Sequence, residues 1–156
     1  MNRPRVRRAL GPLLAAALLT AGATACGGSA PELTVEGAYL PRPVTTDTAG
    51  AFMTIRNAGG TDDRLTSVSS DISDDVQIHT TVGGTMRRVA SLPVPAGGAL
   101  ELRRGGDHLM FMDLDRRPAE GEKVPVELRF EKSGPITVEV PVEATNHVPG
   151  SHPHTQ

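Results

Sequence analysis

From about residue 33 the sequence breaks into short β-rich runs separated by turn residues. The runs are LTVEGAYL, AFMTIRN, RLTSVSS, VQIHTTV, TMRRVASL, ALELRR, HLMFMDL, VPVELRF and ITVEVPV. Glycine pairs stand between several of them, at Gly59-Gly60, Gly83-Gly84, Gly97-Gly98 and Gly105-Gly106. Such pairs supply the positive φ angles that tight hairpin turns require. No amphipathic helical pattern longer than two turns interrupts the series. Many short strands at close, even spacing predict an all-β domain, an antiparallel β-sandwich or barrel.

A chain of 156 residues is long enough for one such core and short for two. Its ends divide from the middle by composition. MNRPRVRR is a basic opening and ALGPLLAAALLTAG an apolar run too short to span a membrane. ATAC then places small residues ahead of Cys26, and the whole resembles a bacterial lipoprotein signal with Cys26 as the lipidated residue; position 23 is Ala where that pattern prefers Leu. Plain secretion is the other reading. The expected organisation is a signal peptide over residues 1–25, a tether over 26–32, a β-domain over 33–143 and a disordered tail over 144–156. The tail holds His147, His152 and His154, three of the chain's five histidines. It reads either as solvated chain or as an accessory metal-capturing arm.

Charge and composition exclude several functions. Four arginines precede Cys26, and the remaining 12 basic residues face 18 acidic ones, so the body of the protein is acidic. An acidic body repels phosphate backbones, and 3% aromatic residues make no stacking platform for single strands. Nucleic acid is not an expected partner. Cys26 is the only cysteine, so the domain holds no disulfide and cannot form a blue-copper electron-transfer centre, which needs a thiolate. No phosphate-binding loop or nucleophile elbow is present, and Asp107, Asp113 and Asp115 lack the spacing of a calcium loop. A metalloenzyme would want more histidines than the two inside the domain.

Those two histidines lie in the informative segments. In HLMFM, His108, Met110 and Met112 alternate with Leu109 and Phe111, so a strand would put one imidazole and two thioethers on a single face. In VQIHTTVGGTMRRV, a two-residue turn at Gly83-Gly84 pairs Val82 with Thr85, Thr81 with Met86, Thr80 with Arg87 and His79 with Arg88. His79 and Met86 then become diagonal neighbours on one side of the hairpin, about 7–8 Å apart at the backbone. Methionine at alternate strand positions also serves as core filler, which is the reading given to Met53. Three of the methionines after Cys26 nevertheless accompany both domain histidines. Imidazole and thioether donors together favour Cu(I), where zinc would want thiolate or carboxylate and calcium oxygen.

The pattern resembles the periplasmic copper chaperones of the PCu(A)C family over roughly residues 33 to 142. A His and a Met are followed, after twenty-one residues, by His-x-Met, here Met86 to His108 and Met110. AGAFMTIRNAGG and LPVPAGGALELRRGGDHLMFMDL are similar to further family segments. The resemblance implies a cupredoxin-like Greek-key sandwich with His79, Met86, His108 and Met110 as Cu(I) ligands and Met112 in support. It also implies delivery of copper to the CuA subunit of cytochrome c oxidase, or to a thiol-bearing assembly factor, by a membrane-anchored carrier that is not an enzyme. Copper buffering or resistance, and a metal-free interaction domain, are the alternatives. One departure stands out: six residues separate His79 from Met86, fewer than in the family by an even number, so each hairpin arm can shorten without turning a side chain over.

Overall fold

The computed structural model describes residues 28–150. The expected signal peptide, Cys26, His152 and His154 lie outside them. The described residues form ten strands and no helix: β1 (Leu33–Pro41), β2 (Thr48–Asn57), β3 (Asp63–Ser70), β4 (Asp75–Val82), β5 (Thr85–Arg88), β6 (Leu92–Val94), β7 (Ala99–Leu102), β8 (His108–Met112), β9 (Lys123–Phe130) and β10 (Gly134–Glu143).

Hydrogen bonding links them in the order β5-β4-β8-β2-β1-β10-β9-β3-β6, with β7 paired to the second half of β2. The two ends of that order are adjacent in the chain. β3 leads into β4 through Asp71–Asp74, and β5 into β6 through Val89–Ser91. The sheet therefore doubles back on itself as two layers, with strands crossing between layers at short connections. TMRRVASL, expected as one strand, is split by such a crossing: Thr85–Arg88 pairs with β4 in one layer and Leu92–Val94 with β3 in the other. The pairing is antiparallel except where Leu40 and Pro41 of β1 run parallel to Val142 and Glu143 of β10.

The core between the layers collects alternate residues of each strand. Ile55, Leu65, Leu109, Phe111, Val124, Val126, Leu128 and Val140 are all fully or almost fully buried. β2 and β8 fit by size, since Ala49, Gly50 and Ala51 stand opposite Phe111, Met110 and Leu109. Met53 is buried in this core, as expected. Period-two alternation thus sends Leu109 and Phe111 inward and leaves His108, Met110 and Met112 on the outer face.

The glycine pairs do not all act alike. Gly83 and Gly84 have φ of 57° and 79°, the two positive values a type I′ hairpin turn needs. Gly59 has an ordinary φ and is small for another reason, close approach: an added Cβ would run into the backbone of Ala30–Glu32.

The start of the C-terminal segment, residues 144–150, has neighbours in the β-domain. Residues 144–150 are described, and the His147 ring lies 5.0 Å from the Tyr39 ring, with its Nδ1 3.8 Å from Glu143. An aromatic shelf from β1 gives this part of the presumed disordered tail something to pack on.

Candidate metal centre

The hairpin β4–β5 has the register that Gly83-Gly84 predicts, with His79 opposite Arg88 and Thr81 opposite Met86. β4 also pairs on its other side with β8, placing His79 directly across from His108, Gln77 across from Met110, and Asp75 across from Met112. One outer face therefore carries His79, Met86, His108, Met110 and Met112. The two imidazoles meet edge to face with ring centroids 5.5 Å apart. Met86 and Met110 lie on either side of this imidazole row, one toward the hairpin turn and one away from it.

The protonation of both rings follows from their partners. His108 Nδ1 is 2.9 Å from the carbonyl oxygen of Gly106, which can only accept, so Nδ1 carries the proton and Nε2 is a bare lone pair. At His79 the ordering comes from a chain of side chains. Gln77 Nε2 donates to Asp75 Oδ2 at 2.7 Å, which turns Gln77 Oε1 toward His79 Nε2 at 2.9 Å. His79 Nε2 therefore donates, and Nδ1 is left bare. His79 Nδ1 and His108 Nε2 are both buried and have no hydrogen-bond partner. A buried acceptor left unsatisfied costs about 1–3 kcal/mol, so two of them on rings whose centroids are 5.5 Å apart need a reason. A metal ion accepts such lone pairs, and metal-binding imidazoles commonly donate their other N–H to a carbonyl or carboxamide, as here.

Burial, followed by the charges of His108 and Arg88, pushes the His79 imidazole below its ordinary pKa, with Asp75 opposing weakly. Its neutral, ligating form is thereby favoured at neutral pH.

A cavity of about 730 Å³ opens beside the pair, with Met86, His108 and Met110 in its wall. Its floor is β2: Gly50 faces Met110 in register, and Phe52 adjoins. A Cβ at Gly50 would come within 3.2 Å of the Phe52 ring, so glycine keeps this floor level. Arg104 closes one side, its guanidinium 5.5 Å above the Phe52 ring. Among the described residues no three His, Cys, Asp or Glu side chains converge as a metal-holding group. The donors gathered here are two imidazoles and thioethers, a soft set.

The four expected ligands share this face, and Met86 is 57% exposed while His108 is 5% exposed. Met112 is on the face but outside the cavity wall, two positions beyond Met110 and opposite Asp75. His147 is not itself in the cavity wall; its ring packs on Tyr39, and its carbonyl oxygen accepts from Arg104, which is. Sequence reasoning missed Gln77, Gly50, Phe52 and Arg104. Gln77 could have been found by parity, two residues before His79; the others come from strands whose neighbours the sequence does not announce.

This fold is that of cupredoxin-like PCuAC domains. The structure matches the copper-bound PCuAC domain from PmoF2 with a TM-score of 0.65 and 26% identity, covering 76% of this chain and 98% of that one. It matches CuI-DR1885 from Deinococcus radiodurans with a TM-score of 0.64 and 29% identity, covering 81% and 85%. The chain belongs to the LpqE-like lipoprotein family, whose model matches residues 33–142. A relative from Leifsonia xyli subsp. xyli, named "Putative lipoprotein Lxx21020", is 32% identical over 130 residues, 80% of this chain and 78% of its own.

Proposed function

We propose that the protein is an extracytoplasmic Cu(I) chaperone that holds one cuprous ion between His79, Met86, His108 and Met110 and hands it on by ligand exchange. The observation that carries this is the pair of buried, unpartnered imidazole nitrogens, His79 Nδ1 and His108 Nε2, flanked by two thioethers. The copper-bound and Cu(I)-bound states named for the two solved relatives support the same cargo. Methionine suits the compartment, since a thioether has no proton to lose and cannot form a disulfide. Burial of His108 anchors the ion, whereas exposure of Met86 leaves one thioether free to be displaced. An incoming thiolate binds Cu(I) more strongly and can replace the thioethers in turn. The chain acts on this reading as a carrier and not as an enzyme.

The family's lipoprotein description and the Cys26 motif support anchoring through lipid at Cys26 on the outer face of the membrane. Delivery for assembly of the CuA site of cytochrome c oxidase, directly or through a thiol-bearing factor, is the destination we assign.

Cu(I) titration of the reduced full chain, against a colorimetric Cu(I) chelator, tests the site. One ion bound with an affinity that collapses in Met86→Ala and His108→Ala supports it; an unchanged isotherm rejects it. A deletion strain tests the destination. Loss of oxidase activity at low copper indicates delivery, and copper sensitivity alone indicates buffering.

A further inference from the structure

The charge around the donor face is opposite to that of the body. Arg87 and Arg88 stand on β5 and Arg103 and Arg104 in the turn before β8, with Glu101 and Asp107 beside them in the chain and Asp75 farther along the donor face. Apart from these four arginines, Glu101 and Asp107, the chain after residue 26 carries eight basic against sixteen acidic residues. Elsewhere among the described residues Arg56, Arg116 and Arg129 each hold a carboxylate at 2.6–2.7 Å, whereas Arg42, Arg64, Arg117, Lys123 and Lys132 have none at ion-pair distance. Among the described residues Arg87, Arg88 and Arg104 have no carboxylate at ion-pair distance, and Arg103 reaches Glu101 only at 3.9 Å.

These cations lie about the exposed hairpin tip. Met86 is 57% exposed on the donor face, and Val82, 58% exposed, points to the other side of the hairpin. β5 ends the strand order, so among the described residues no strand pairs with its outer edge. Charge beside an exposed thioether on a protein surface acts chiefly on encounter rate and partner choice.

We infer that this basic end docks an acidic protein surface, on which soft copper-accepting side chains are ringed by Asp and Glu. The inference deepens the Cu(I)-carrier reading and rests on it for the nature of the cargo. An anionic lipid surface would also meet arginines. The exposed thioether of Met86 needs sulfur or nitrogen donors opposite it for the cargo to leave, which favours a protein.

Two synthetic peptides test this, each with a pair of cysteines, one flanked by glutamates and the other by lysines. Binding of cysteine-free versions to the copper-free full chain in neutral detergent is measured by fluorescence anisotropy, and Cu(I) transfer to the cysteine versions by stopped flow. The glutamate peptide is expected to bind selectively and to take Cu(I) about tenfold faster at low salt, with the ratio approaching one at high salt. R103E, which alters no donor, should reduce the preference while Cu(I) affinity stays as in the parent. Equal binding of both copper-free peptides overturns the inference. So does arginine-dependent binding to phosphatidylglycerol vesicles with no peptide selectivity. A chain that binds no Cu(I) yet selects the glutamate peptide overturns the carrier reading and leaves the acidic docking surface standing.

Discussion

His79 and His108 are opposed directly across β4 and β8, their rings 5.5 Å apart and each with one bare, buried nitrogen. Two imidazoles in this relation repel when both are protonated, and when both are neutral their edge-to-face contact still leaves the two bare nitrogens unsatisfied. Their juxtaposition is of use to a third body that can accept both lone pairs.

The first prediction concerns the donors. His108→Ala and Met110→Ala should each weaken Cu(I) binding by at least about tenfold, which is about 1.4 kcal/mol. Met86→Ala should do the same with little change in thermal midpoint, since Met86 is mostly exposed. Chelator competition and thermal melts of the copper-free chain separate the two effects. A Met86→Ala variant that loses stability and retains affinity would reassign the residue to packing.

Gln77 should matter without touching the ion. It orients His79 through the bond between Oε1 and Nε2. Gln77→Leu removes the acceptor and lets the ring take either tautomer, so Cu(I) affinity should fall about 10–100-fold, as when other outer partners of metal ligands are removed. Gln77→Glu retains an acceptor and should restore most of the affinity.

The turn sets the position of Met86 relative to His79. Gly83→Ala and Gly84→Ala meet no steric obstacle, since nothing lies within 4 Å of an added Cβ. The cost is conformational, about 1 kcal/mol or more for a left-handed non-glycine residue. Both should lower stability modestly and Cu(I) affinity further, as the register slips and Met86 leaves the face. Amide exchange of β5 would report the slip.

Acid stability should depend on Asp63, far from the metal site. This buried carboxylate accepts from Ser133 Oγ at 2.6 Å and from the amides of Arg64, Lys132 and Ser133. Burial raises its pKa, but those four bonds together outweigh burial and hold it below the ordinary value. A depressed folded pKa gives stability that is complete above the unfolded value and is lost as pH falls through the folded one. Asp63→Ala should cost about 3 kcal/mol at neutral pH. The gap from the parent should begin to narrow below about pH 4, the unfolded carboxylate value, and go on narrowing as pH falls through the lower folded value, as measured by urea unfolding across pH.

What the sequence alone determined is local. Gly83-Gly84 specified the hairpin register, because two successive positive φ values admit one tight turn. Period-two alternation put His108, Met110 and Met112 on one face and Leu109 and Phe111 on the other, because a strand has no third direction. Each of these signals is complete within a few residues. Tertiary structure alone decided that β4 lies beside β8, so that His79 stands opposite His108. It also decided that Gly50 and Phe52 of β2 floor the cavity, that TMRRVASL divides between two layers, and that His147 packs on Tyr39. Strand neighbours far apart in sequence are chosen by which apolar faces bury each other best. That is a property of all the strands together and is written in no single run.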